Sequence, residues 1–96
     1  MAKGYWISCY RKIKSPEKLA AYAKLAAPAI QAAGGKFIVR GPAAVAHEHG
    51  IKERTVVVEF ENLAKANEVH DGPAYQAALK ELADGAERDF RICEGV

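Results

Sequence analysis

The chain has 96 residues, 50% hydrophobic and 27% charged, the profile of one water-soluble globular domain over residues 1–96. Its 14 Lys and Arg against 12 Asp and Glu leave a net charge of +2. The basic residues are scattered, no apolar run reaches the ~20 residues of a spanning helix, and no secretory leader is expected from residues 1–4 and the strand-like run after them. Nucleic-acid and membrane partners are therefore not expected, and the expected location is cytoplasmic.

Tyr5-Trp6-Ile7-Ser8-Cys9-Tyr10 reads as the first strand, rich in aromatic and β-favouring residues. Alternation sorts it into Tyr5, Ile7 and Cys9 on one side and Trp6, Ser8 and Tyr10 on the other. Ser15, Pro16 and Glu17 then form a helix start: a cap, a first-turn proline and an acid at the positive helix end. Leu19, Tyr22, Ala23, Ala26, Ile30 and Ala33 recur at helical spacing as a core-facing stripe, which Pro28 interrupts and Gly34-Gly35 ends. Residues 36–40 form the second strand. Gly41-Pro42 turns into a third strand around residues 44–49, and residues 50–53 make a bend.

Residues 54–60 carry a β-branched core and are the clearest strand in the chain. Asn62 caps a short helix through Val69. Gly72-Pro73 restarts a helical segment with Tyr75, Ala78, Leu79 and Leu82 on one face. Residues 88–94 close as a strand. Cys9 and Cys93, both expected near the middle of the sheet, read as small apolar residues and not as a disulfide.

The strand–helix–strand–strand–helix–strand order is the split βαβ, or ferredoxin-like, plan. It is an α+β fold with two helices on one face of a four-stranded antiparallel sheet. The other face is left bare. Trp6, Tyr10, Ile38 and Val57 are expected there, too apolar to face water, which predicts a homodimer through the sheet face.

Arg40 and Glu59 each interrupt an apolar strand, and alternation places Arg40 with Ile38 and Glu59 with Thr55 and Val57. With both on the bare face, Glu59 is a general-base candidate and Arg40 an anchor for an anionic substrate. A structural salt bridge is the favoured alternative. His47 and His49 fall on one side of the expected third strand and can share a metal only with a third ligand from His70, Glu59 or Cys93. A solvated strand end is the favoured reading. Glu48, on the opposite side of that strand, is a second acid candidate. His70 ends a helix, where it either caps or carries a proton at the cavity mouth. Tyr75 is a core residue whose hydroxyl reaches the pocket edge. Trp6, Ser8 and Tyr10 either pack the sheet face or stack on a ligand. Gly34-Gly35 follows a helix where a phosphate loop would precede one, so no nucleotide or other cofactor is expected.

Several segments resemble the domain-of-unknown-function family 1330 (DUF1330), of the dimeric α+β barrel superfamily. They are residues 1–7 (MAKGYWI), 35–41 (GKFIVRG), Arg54 with residues 56–60 (VVVEF), 73–78 (PAYQAA) and 94–96 (EGV). The resemblance implies a ferredoxin-like subunit that pairs sheet to sheet, with a cavity between each sheet and its cover. His70 stands where the family commonly has a tyrosine, Leu82 where it has an arginine, and Gly41-Pro42 where it has Gly-Gly. Glu48 matches a family glutamate. Two functions fit: a small cofactor-independent enzyme moving a proton on a small carbonyl or aromatic acid, or a non-catalytic small-ligand-binding or stress-related dimer.

Overall fold

The computed structural model describes residues 2–96; Met1, the first residue of one resembling segment, lies outside the described residues. The elements run β1 (Gly4–Ile13), α1 (Pro16–Ala32), β2 (Lys36–Pro42), β3 (Arg54–Phe60), α2 (Leu63–Asp71), α3 (Pro73–Leu82) and β4 (Ala86–Glu94). The four strands form one antiparallel sheet in the order β2-β3-β1-β4, with the helices on one face. This is the ferredoxin-like α+β fold expected from the element order.

Local chemistry explains the boundaries. Ser15 accepts from the Lys18 amide at the start of α1, and Asn62 accepts from the Lys65 amide at the start of α2. Pro28 does not end α1, which continues to Ala32. Gly34 then takes a positive φ of 87°, and Gly35 passes so close to the core that a Cβ there would meet Ile30 and Phe60 at 2.5 and 2.8 Å.

The core lies between the sheet and the helices. Trp6, Val58 and Phe60 meet Tyr22, Ala26 and Ile30 of α1, Ala66 of α2, and Tyr75, Ala78 and Leu82 of α3. Trp6, Tyr75, Phe60 and Val58 are the largest fully buried side chains, each worth ~1.5–3 kcal/mol over an exposed position. The indole N–H of Trp6 donates to the Ala66 carbonyl at 2.9 Å, which meets the polar need of a buried tryptophan.

Four expectations are corrected. First, Trp6 and Tyr10 face their own chain's helices at 2% and 3% exposure, and Tyr5, Ile7 and Cys9 face outward. The alternation was right, but the larger aromatics fill the deeper core. Second, residues 44–49 are loop and turn, not strand: Gly50 donates to the His47 carbonyl, and Glu48 takes a positive φ of 54°. Third, β4 is an edge strand, so Cys93 is not near the middle of the sheet. Cys93 lies opposite Tyr5, four residues along β1 from Cys9, or ~13 Å, too far for a disulfide; both thiols are free. Fourth, β2 carries a register shift between Phe37 and Val39. Ile38 is the extra residue, and the shift turns Arg40 onto the helix face.

The outer face keeps an apolar surface without Trp6 or Tyr10. Ile38 and Val39 are 47% and 46% exposed, with Val57 half-buried beside them. No helix among the described residues is long and apolar enough to cross a membrane.

Candidate functional site

Strand parity under the helices builds a polar end to the core. On β1, the helix-facing positions are Trp6, Ser8 and Tyr10; on β3 they are Arg54, Val56, Val58 and Phe60. Across the sheet, Arg40 lies opposite Val56, Val56 opposite Ser8, and Ser8 opposite Phe90. In the next row Pro42 faces Arg54 and Tyr10 faces Arg88. Roofed by Tyr22, Ala26 and Ile30 of α1, these residues other than Pro42 line a partly open cavity of about 50 Å³.

Its electrostatics are one-sided. Arg40, Arg54 and Arg88 all line it, and no carboxylate does. The guanidinium carbons lie over aromatic rings: Arg40 over Phe37 at 4.4 Å, and Arg54 and Arg88 over Tyr10 at 5.9 and 5.5 Å. Arg88 also donates to the Tyr22 hydroxyl at 3.2 Å, and the Tyr22 and Tyr75 hydroxyls share a hydrogen bond at 2.7 Å. Burial opposes the Arg88 charge, but the phenols of Tyr75 and Tyr22 outweigh it and raise its pKa. Burial, then Tyr75, push Tyr22 above its ordinary value against the pull of Arg88. Burial likewise raises Tyr10 against Arg88 and Arg54. The Tyr22 and Tyr10 phenols therefore keep their protons at neutral pH and are available as hydrogen-bond donors.

Two polar atoms complete the site. Ser8 Oγ and Arg54 Nε are buried, and neither has a hydrogen-bond partner among the described residues. An unmet buried donor costs ~1–3 kcal/mol, so each marks a place where a bound group would be welcome.

The sequence-predicted residues divide. Arg40, Trp6, Ser8 and Tyr10 come together in the cavity. Tyr75 stands behind Tyr22, in contact with the site through its hydroxyl. Glu59 does not join Arg40: it lies on the outer face, where the Tyr5 hydroxyl donates to it at 3.2 Å. The Ile38 bulge separates the pair. His70 packs on the rings of Tyr75, Phe90 and Trp6, with centroids at 5.4, 5.5 and 6.0 Å, and its Nδ1 lies 3.0 Å from Asp71. It does not line the cavity. Glu48, His47 and His49 belong to the exposed 43–53 loop; the two histidines border a separate groove of about 290 Å³ beside Cys9 and Arg11. Among the described residues no group of three or more His, Cys, Asp or Glu side chains is placed to hold a metal ion.

Arg54, Arg88 and Tyr22 are the site residues that the sequence reading missed. Their signal was present. The parity that buries Val56, Val58 and Phe60 also buries Arg54, and the parity of Phe90 and Ile92 carries Arg88.

Residues 3–96 match the family described as Domain of unknown function (DUF1330). The chain belongs to this family. No curated protein matches it. Solved structures similar to this DUF1330 protein include a protein of unknown function from Rhodopseudomonas palustris, 20% identical, with a TM-score of 0.69 over 97% of this chain and 80% of that one. A dimeric ferredoxin-like protein of unknown function from Thermobifida fusca is 15% identical, with a TM-score of 0.60 over 99% and 92%. A cofactor-independent oxygenase from Streptomyces nogalater is 9% identical, with a TM-score of 0.58 over 97% and 92%. At these identities the likenesses establish that the DUF1330 chain shares their fold.

Proposed function

We propose that the protein is a cytoplasmic homodimer whose sheet–helix cavity binds a small organic acid. The observation that carries this reading is the convergence of three arginines and no carboxylate on one partly open cavity. Arginine forks match carboxylate geometry, and the half-burial of Arg54 and Arg88 strengthens their contacts. The binder is favoured over an enzyme because neither a histidine nor a carboxylate lines the cavity to take a proton. A second reading rests on the Arg88–Tyr22 contact: the proton on the carbon next to the acid's carbonyl leaves to a solvent water and returns from solvent, while Tyr22 donates to the carbonyl oxygen and Arg88 stabilises the negative charge that develops there. Glu59 and His70 then have no direct part.

The dimer follows from the outer sheet face. Ile38, Val39 and Val57 line it, and a stable interface takes ~800 Å² from each partner. The related Thermobifida fusca protein, described as dimeric, supports the same arrangement.

The test is native mass spectrometry of the purified protein, followed by titration with short carboxylic acids monitored through the fluorescence of Trp6. A retained or added acid that shifts the emission supports the reading. Emission indifferent to every acid tested, with no bound mass, refutes it. Deuterium exchange at the carbon next to the keto group of a keto acid, followed by NMR in D₂O, separates the enzyme from the binder.

A further inference from the structure

We infer that the ligand is a short dicarboxylate, of two to four carbons, bridged between Arg54 and Arg88 over the ring of Tyr10. This rests on the organic-acid reading of the cavity and narrows it by charge, spacing and size.

Charge comes first. None of Arg40, Arg54 and Arg88 forms an ion pair with any carboxylate among the described residues. Arg40 is exposed to water and lies against Phe37 on the distant strand β2, whereas Arg54 and Arg88 are half-buried. A single carboxylate leaves one of these two half-buried charges without a partner, and a dianion meets both.

Spacing argues for two separate carboxylates over one compact dianion. Arg54 and Arg88 stand on β3 and β4, with β1 between them. Their backbones are thus two strand spacings apart, ~9–10 Å, and both reach the Tyr10 ring from either side. One carboxylate would meet Arg54, whose Nε is buried and unpartnered, and the other Arg88. Ser8 Oγ, also unpartnered, is a row further in and would donate to the ligand between its ends.

Size limits the length of the chain. The cavity is about 50 Å³ and partly open, with room inside for roughly three to five waters, which favours a short acid held between the two arginines over a long one.

The experiment is a titration of the intact protein at fixed ionic strength with oxalate, malonate and succinate, against acetate, propionate and sulfate. Trp6, the sole tryptophan, lines the cavity and reports occupancy. At least one dicarboxylate should bind roughly tenfold or more tightly than either monocarboxylate. Arg54→Gln should abolish that difference and change the monocarboxylate affinity by less than about threefold, because one guanidinium suffices for one carboxylate. Arg91→Gln, on the outer face, serves as the charge control. Monocarboxylates or sulfate binding as tightly as every dicarboxylate would overturn the inference while leaving an anion site in place. Loss of response to all anions would overturn the site itself. The unmutated protein decides between these outcomes, so a poorly folding Arg54 variant does not weaken the test.

Discussion

The hydroxyls of Tyr22 and Tyr75 lie 2.7 Å apart where α1 meets α3, and Tyr22 also accepts from Arg88 of β4. One buried hydrogen bond thereby joins the helical layer to the cationic cavity. Packing in the core and charge in the site are consequently coupled.

Removing either hydroxyl should expose that coupling. Tyr75→Phe leaves the ring in place and strands one side of the Tyr22 phenol, so a loss of about 1 kcal/mol in urea unfolding is expected. Tyr22→Phe should cost somewhat more, since Arg88 loses its acceptor too. The double variant should cost less than the sum of the singles; strict additivity would show that the bond contributes nothing.

Stability should fall in alkali. Tyr10 and Tyr22 have folded-state pKa values raised above the ordinary 10.0. Above pH ~10 the unfolded chain therefore releases protons that the folded one retains. Their contribution is fully present below pH ~10 and is lost as pH rises through the folded values. Chemical denaturation between pH 8 and 11.5, with tyrosinate absorbance in parallel, should show a falling midpoint and late-titrating phenols. A flat midpoint would contradict it.

Ser8→Ala offers a change of opposite sign. The hydroxyl is buried and unpartnered, so its removal should raise the stability of the ligand-free protein by about 1 kcal/mol. The same variant should bind short acids more weakly. A destabilised Ser8→Ala protein would mean that the hydroxyl already has a partner in solution.

The outer face can be tested by charge. Ile38→Glu places a carboxylate in the proposed interface without touching the core, and should convert the dimer to a 10.4 kDa monomer in light scattering. Far-ultraviolet circular dichroism should stay unchanged. A dimer that survives both this substitution and Val57→Glu would place the interface elsewhere.

The architecture was legible from residue patterns because each signal was local. Ser15-Pro16, Gly34-Gly35 and Asn62 mark helix ends through hydrogen bonds or backbone freedom within a few residues. The β-branched run at 56–58 marks β3 in the same way. The 44–49 segment failed as a strand because alternation alone does not supply a neighbour, and the turns at His47–Gly50 used its backbone groups instead.

The site was less legible because it depends on register. The chain by itself established the ferredoxin-like plan, the family likeness, and the two-sided alternation of β1. Which side of β1 would be the core, and on which face Arg40 would emerge, depended on pairing between strands far apart in sequence. A single extra residue at Ile38 reverses every side chain beyond it. Only the folded sheet therefore separated Arg40 from Glu59 and gathered it with Arg54 and Arg88 around one cavity.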